Sequence, residues 1–482
     1  MPRITTFADD VGITLDTLRA NVAQLVEPTL RLGVTGLSRA GKTVFITSLV
    51  HNLVHGGRLA LFEPMADGRL SDAMLAPQPD DDVPRFQYED HLRALTEARR
   101  WPESTRAISQ LRLVIHYQSA SAWTRRFGPG KLSLDIVDYP GEWLLDLPLL
   151  AKSYATWSEE AIALSREPSR AAIAAEWHAA LADVEPTEPE EEARARRLAE
   201  TFTAYLRAAR ADDTAFSTLP PGRFLMPGDL EGSPALTFAP LSVSGEGASG
   251  TLHAMMERRY EAYKRVVVKP FFREHFARID RQIVLVDALQ ALNAGGAAVR
   301  DLENALADIL ECFNPGRRSV LASLFTVRTD RVLFAATKAD HLHHENHDRL
   351  ERLLERLVAR ASQKARFAGA AVDAIAMAAV RATREGTVPH DGEDLPGIVG
   401  TPMAGETIEG RTFDGDTRTA VFPGDLPEDT ASVLDPDRKA GDLRFVRFRP
   451  PPLERTAEGI ELSLPHIRLD RALQFLVGDR LA

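Results

Sequence analysis

Apolar and other residues alternate along Leu30-Arg31-Leu32-Gly33-Val34-Thr35, the period-two pattern of a half-buried strand. After a short Gly-containing interval, Val44-Phe45-Ile46-Thr47-Ser48-Leu49-Val50 predicts the opening of a buried helix. Ahead of this pair, Leu15, Leu18, Val22, Leu25 and Val26 recur at helical spacing. Residues 13–27 are therefore expected to form an amphipathic helix, which Pro28 ends. Residues 57–95 show no steady period and are rich in Pro, Gly and Asp, which predicts a long surface segment or a short helical insert. Strand-like runs at 111–117 and 132–137, with the turn Gly128-Pro129-Gly130 just before the second, predict an antiparallel hairpin.

Beyond residue 150 the pattern changes. Residues 151–213 are rich in Ala, Arg and Glu, with few β-branched residues, and predict helices. The charged run from Glu185 to Arg197 reads as a solvated linker and helix face. Residues 217–250 form a Pro/Gly/Ser-rich connection, and 251–279 read as helical with an interruption at Pro270. Buried-type strands return at 282–287, 331–336 and 373–378, alternating with helices over 302–313 and around Leu350, Leu353, Leu354 and Leu357. Such alternation predicts an α/β fold whose mainly parallel sheet is covered on both faces. From 386 to 452 the chain is turn-rich, with short strands such as Leu443-Arg444-Phe445-Val446-Arg447-Phe448. A closing helix carries Leu469, Leu473 and Leu476. The expected division is an N-terminal helix (1–29), two parts of one core domain (30–150 and 281–385), a helical insertion (151–280), a β-rich insertion (386–452) and a helix that completes the core (453–482).

The chain has 482 residues, enough for two or three domains, and a formal charge of −11. That balance argues against a general nucleic-acid binder, which carries a basic face. One cysteine, Cys312, permits no internal disulfide and reads as a small core residue. No run approaches the roughly 18 apolar residues needed to span a bilayer, and the acidic N-terminus is unlike a signal peptide. A cytoplasmic protein is expected, with peripheral contact at the inner membrane left open.

Against this background the chemistry is concentrated in three loops at predicted C-terminal strand ends, where α/β sheets bind ligands. The first, Gly36-Leu37-Ser38-Arg39-Ala40-Gly41-Lys42-Thr43, fits the phosphate-binding pattern G-x-x-x-x-G-K-[ST] in strand–loop–helix context. Its glycines let backbone N–H groups of Ser38, Arg39, Ala40 and Val44 approach phosphate oxygens. Lys42 is expected on the β- and γ-phosphates, and Thr43 on Mg²⁺. The second loop, Asp138-Tyr139-Pro140-Gly141, has the D-x-x-G form, in which Asp138 serves the metal and the Gly141 N–H the γ-phosphate. The third, Thr337-Lys338-Ala339-Asp340, resembles the guanine reader N-K-x-D with Thr in place of Asn. Asp340 would accept from guanine N1 and N2, and the Lys338 stem would lie along the base. His341, His343, His344 and His347 read as the polar, solvated start of the next helix, with a metal site as the alternative. The scattered tryptophans read as packing residues, except that Trp143 suggests a mobile cover after the second loop.

The order of these parts is similar to that of translation-factor-like and Ras-like GTPases. That resemblance implies Thr105 as the switch threonine completing the Mg²⁺ shell, with Ser104 as fallback, and a base-contacting backbone loop at Ala378-Ala379-Val380-Arg381. It implies a water-orienting glutamine where this chain has Glu142, placed here among the candidate catalytic groups with Lys42, Thr105 and Gly141. The three loops, with the second extended to Asp138-Tyr139-Pro140-Gly141-Glu142-Trp143, resemble the bacterial YcjX family over nearly the whole chain. The resemblance implies a stress-associated P-loop NTPase that binds GTP or GDP with Mg²⁺, acting as a regulatory GTPase. An ATPase of the same fold and a nucleotide-holding scaffold without turnover are the alternatives. A protein effector, a membrane-associated partner and the oligomeric state are not specified by the residues.

Overall fold

The computed structural model describes residues 28–482 apart from 37–39, 104–106, 122–128, 212–219, 226, 228–229, 231, 244, 314–328, 368, 391–392, 409, 431, 436–442 and 455–461. The helix expected over 13–27 lies outside these residues. Seven strands form the central sheet: β1 (Thr29–Gly36), β2 (Leu70–Ala76), β3 (Ser109–Tyr117), β4 (Gly130–Asp138), β5 (Arg281–Val286), β6 (Arg331–Ala336) and β7 (Ala371–Ala376). Their spatial order is β2-β3-β4-β1-β5-β6-β7. The β3–β4 hairpin is antiparallel, as its turn predicts, and β2 adds to it antiparallel, with a register shift between Leu70 and Asp72. All pairings from β4 through β1, β5, β6 and β7 are parallel. The fold is thus α/β with a mainly parallel sheet of Ras-like form.

Side-chain alternation assigns each strand to two cores. In β5, Ile283 and Leu285 face one side while Val284 and Val286 face the other; β6 splits likewise between Leu333 and Ala335 and Val332, Phe334 and Ala336. Burial on both faces explains why these strands read as continuous apolar runs. Helix α1 (Lys42–His55) covers the first face through Phe45, Ile46, Leu49, Val50 and Leu53. The opposite face is covered by the helices that follow β5 and β6.

Between β4 and β5 the chain is mostly helical, as expected. A 3₁₀ segment, Gly141–Ala151, leads into α3 (Tyr154–Ser165), α4 (Ala175–Ala182), α5 (Glu192–Ala211), α6 (Leu252–Tyr263) and α7 (Lys269–Glu274). Ser153 and Thr251 cap α3 and α6 by accepting from Thr156 and Ala254 N–H. The interruption predicted at Pro270 is instead a π-helical turn, Lys264–Val268, with Pro270 tolerated in the first turn of α7. After β5 come α8 (Ala288–Ala294) and α9 (Gly296–Phe313), which contains Cys312. Helix α10 (His347–Phe367) links β6 to β7. A small sheet follows, in which β9 (Glu393–Gly400) pairs with β8 (Arg384–His390) and β12 (Thr419–Val421); β10 (Thr407–Ile408) and β11 (Arg411–Thr412) make a separate ribbon.

Two expectations are corrected. Residues 57–95, expected as surface chain or a short helical insert, do lead into a helix, α2 (Tyr88–Thr96), but they also hold the strand β2, which that expectation lacked. The β2 pattern was hidden because it is an edge strand with exposed Ser71, Asp72 and Met74. Residues 443–448 alternate but do not form a strand; only a single bridge, Pro402 to Phe448, is made there. The closing helix is α11 (Leu469–Val477), whose Leu469, Leu473, Leu476 and Val477 join α1 on the first face.

Candidate nucleotide site

The phosphate loop starts where β1 ends. A Cβ at Gly36 would sit 2.9 Å from the Leu285 Cβ and carbonyl oxygen on β5, so only glycine fits this crossing. Gly41 has φ 82° with open space around its α-carbon, a left-handed conformation that favours glycine for backbone rather than packing reasons. As the residue before α1 it has no side chain to cap the helix, which leaves the leading N–H groups available to an anion. Lys42 and Thr43 follow in the first turn. Thr43 is buried and its hydroxyl donates to the Glu103 carbonyl at 3.4 Å, while Thr47 donates to the Thr43 carbonyl at 2.7 Å. Ser38, Arg39, Ser104 and Thr105 lie outside the described residues.

Asp138 ends β4, level with Val34 on β1 and two residues short of Gly36 on the same axis, and it is fully buried. The segment after it is sunk into the helical part of the chain. Glu142, 5% exposed, pairs through Oε1 with the Arg210 guanidinium at 2.6 Å. Gly222 lies so close beneath it that a Cβ there would come within 2.0 Å of the Glu142 carbonyl oxygen. Asp146 accepts from Gly222 N–H at 2.7 Å, Arg223 N–H at 3.3 Å and the Tyr263 hydroxyl at 2.6 Å. Burial nevertheless raises its carboxyl to about 6. Trp143, expected as a mobile cover, is packed edge-on against Phe271 at 5.4 Å with Arg223 over its ring at 3.3 Å. It belongs to the core.

The third loop follows β6. Lys338 takes a left-handed backbone (φ 62°), and its ammonium pairs with Asp287 at the end of β5. Asp340 accepts from Ala382 N–H at 2.9 Å through Oδ2, and its carbonyl accepts from the Thr383 hydroxyl. These bonds join the loop to the chain after β7, where Ser48 of α1 donates to the Ala379 carbonyl. Val380 is buried against Leu95 and Leu464.

One cavity of about 400 Å³ unites most of these residues. Ala40, Gly41, Lys42, Thr43 and Val44 from the first loop line it together with Thr337, Lys338 and Asp340 from the third and with Ala379 and Val380. Gly36 lies beneath the loop, and Asp138, Gly141 and Glu142 are not among the lining residues; Glu142 is turned into the helical part. Sequence reasoning missed the outer wall, made by Trp101, Pro102, Glu103, Met403, Arg447 and Phe448. The only signal for Trp101 was its place four residues before Thr105; Met403 stands in aperiodic chain, and the alternation around Arg447 pointed to a strand and not to a site.

The histidines do not form a solvated helix start. His347, the first residue of α10, is buried with Nε2 2.9 Å from the Ala339 carbonyl oxygen, and burial lowers its pKa. His343 is also buried, and its Nε2 lies 3.3 Å from Glu385. Ligand atoms of His343, His344 and Glu345 come within 4.8 Å of one another, which is explained by their pairing with Glu385 and each other. Among the described residues no helix is long and apolar enough to cross a membrane.

Residues 30–481 match the model of the YcjX-like family, DUF463. A protein of Escherichia coli (strain K12) named Ras-like GTPase YcjX is 39% identical over 477 residues, covering 96% of this chain and 98% of its own. A protein of the same name from Shewanella oneidensis is 37% identical over 478 residues, covering 94% of each. With this extent of agreement on top of the shared loops, the chain belongs to the YcjX-like family.

Proposed function

We propose that this protein is a Mg²⁺-dependent GTP-binding and GTP-hydrolysing switch. The observation that carries the reading is the one cavity shared by Lys42 and Thr43 of the first loop and Lys338 and Asp340 of the third. A triphosphate on the first pair and a purine on the second is the arrangement those residue types serve. In this reading Gly36, Ser38, Arg39, Ala40, Gly41 and Val44 form the phosphate cradle. Thr337, Lys338, Asp340, Ala379 and Val380 form the base site, in which the Asp340 carboxylate selects guanine over adenine. The relatives' name, Ras-like GTPase, supports it.

Mg²⁺ takes oxygen ligands, and the donor set suits it: the Thr43 hydroxyl in the first turn of α1 and the buried Asp138 carboxylate at the end of β4, with Thr105 as the third candidate. When bound, the ion supplies charge neutralisation on the β- and γ-phosphates. Residues 30–150 and 281–385 are assigned to the nucleotide part, 151–280 and 386–452 to insertions, and 453–482 to the element closing the core. A cytoplasmic setting, read from the single cysteine and the composition, and a role in bacterial stress, implied by the family resemblance, belong to the same reading. Loss of heat or envelope-stress tolerance in a deletion strain tests the latter.

Binding of GTP, GDP and ATP, each with and without Mg²⁺, tests the whole reading by titration calorimetry. Guanine nucleotides are expected to bind and ATP not; Lys42→Ala should lose binding while its circular dichroism stays unchanged. Preference for ATP would overturn it. A second reading, a scaffold that holds nucleotide with negligible turnover, is favoured by the burial of Glu142 on Arg210. Single-turnover hydrolysis separates the two.

A further inference from the structure

The outer wall of the cavity comes from none of the three loops. Met403 and Arg447 reach it from the β-rich part of the chain, and Trp101 from the segment before β3. The Phe448 ring lies edge-on to His341 at 5.7 Å, and His341 directly follows Asp340. This places Phe448 beside the third loop, while Glu103 carries the wall across to Thr43, whose hydroxyl lies 3.4 Å from the Glu103 carbonyl.

The wall is held together by backbone bonds. Met403 N–H donates to the Arg447 carbonyl at 2.7 Å, and Arg449 N–H donates to the Thr401 carbonyl at 2.8 Å. Phe448 is 1% exposed and is anchored among Ile398, Phe413, Val421 and Val446. Glu406 takes the Arg447 N–H at 3.0 Å and its Nε–H at 2.6 Å, which fixes the direction of an otherwise exposed guanidinium. Trp101 Nε1–H donates to the Phe448 carbonyl at 2.6 Å, and Arg99 Nε–H to the Pro450 carbonyl at 3.0 Å. A half-buried thioether and a planar cation on a rigid support suit the face of a purine, because both are attracted to π-systems.

We propose that the β-rich part completes the nucleotide site: Met403 covers the nucleoside, Arg447 closes its rim, and Trp101 is a positioning residue that holds this wall against the cavity. The inference rests on the guanine-nucleotide reading above and adds the residues that retain the nucleoside. Because Met403 and Arg447 stand on the Phe448 side of the wall, next to the third loop, their contacts are made equally by GDP and GTP and not by pyrophosphate. It also implies that nucleotide exchange involves the Trp101–Phe448 contact, which joins the segment before Thr105 to the β-rich part.

Release of radiolabelled GDP into excess unlabelled GDP, measured on the full chain, provides the test. Met403→Ala and Arg447→Ala are each expected to speed release about tenfold, the effect of losing one such contact. Affinities for GDP and GTP should fall by the same factor, while competition by inorganic pyrophosphate and the Mg²⁺ dependence stay as in the wild type. Trp101→Phe keeps an aromatic ring but lacks the N–H donor, and should speed release by a smaller factor. Wild-type release in both Met403→Ala and Arg447→Ala would overturn the proposal, as would an equal loss of GDP and pyrophosphate binding. If the wild type fails to bind GDP but binds ATP, the guanine reading itself falls; if it binds GDP and the variants hold it as tightly and release it as slowly, only this wall does.

Discussion

At the scale of single residues, the proposed chemistry rests on where two polar side chains stand. The Thr43 hydroxyl lies in the first turn of α1, 3.4 Å from the Glu103 carbonyl, at the position proposed for a Mg²⁺ ligand. Thr43→Ala is therefore expected to weaken Mg²⁺-dependent triphosphate binding while leaving Mg²⁺-free GDP affinity nearly unchanged. Titrations with and without Mg²⁺ decide it, and an equal fall in both would remove Thr43 as a metal ligand. At Asp340 one oxygen already serves Ala382 N–H. Asp340→Asn can keep that bond through its carbonyl and present an amide donor with the other atom. It should lose GTP affinity by on the order of 2 kcal/mol, about thirtyfold, and gain XTP. Undiminished GTP binding would mean that the base is read elsewhere. These residues were legible in the sequence because they stand in motifs whose spacing is local and recognisable. Trp101, Met403 and Arg447 were not, since a wall assembled from segments far apart in sequence leaves no local pattern.

Elements show a different kind of constraint. The 3₁₀ segment after Asp138 is bound to the helical part by the Glu142–Arg210 pair and by three donors on Asp146. A carboxylate beside a γ-phosphate repels it by roughly 4 kcal/mol at 4 Å and an effective dielectric of 20, so the pairing with Arg210 keeps Glu142 where it does least harm. Glu142→Gln is expected to leave basal turnover equal or faster. Arg210→Ala should destabilise the fold by about 3 kcal/mol, because it strands a buried carboxylate, and much less in a Glu142→Gln background. A large drop in single-turnover hydrolysis in Glu142→Gln would instead make Glu142 the general base. Asp146 adds a pH dependence. Its folded pKa, raised by burial from 3.8 to about 6, means that the folded state binds the proton more tightly than the unfolded one. Stability from this group is full below pH 4 and is lost as pH rises toward and through 6, by roughly 3 kcal/mol. Urea midpoints of wild type and Asp146→Ala compared between pH 4 and 7 should converge as pH rises; a constant gap would sink the assignment. The helices carrying these contacts were visible from composition, but the sequence held no hint that Arg210 would meet Glu142. That contact depends on tertiary packing, as does the edge strand β2, whose exposed positions broke the expected alternation.

For the whole molecule, the alternation of buried strands and helices was enough to foresee a mainly parallel sheet with two covered faces, because burial on both sides forces continuous apolar runs. What it could not give was the order in space, in which β1 lies between the hairpin strand β4 and the later strand β5. That order brings strands from residues 29–138 and 281–376 into one sheet across more than a hundred intervening, mostly helical residues. The first face is completed only by α11, far along the sequence from α1 and β1. Arg331 Nη1 donates to the Phe475 carbonyl at 2.6 Å, and Arg281 pairs with Asp479 at 2.8 Å, tying the end of the chain to β5 and β6. Leu473 is fully buried in the same core as Phe45, Leu285 and Leu333. Leu473→Ala should therefore lower stability by about 2–5 kcal/mol, whereas Leu473→Met, which conserves volume, should cost under about 1.5 kcal/mol. Because Leu473 is not among the residues lining the cavity, the folded fraction of Leu473→Ala should bind GDP with wild-type affinity, and saturating GDP should raise its unfolding midpoint. An unchanged urea midpoint in Leu473→Ala would show that α11 contributes little to the core it covers. A lost GDP affinity in protein that remains folded would show that the helix shapes the nucleotide cavity as well as the fold.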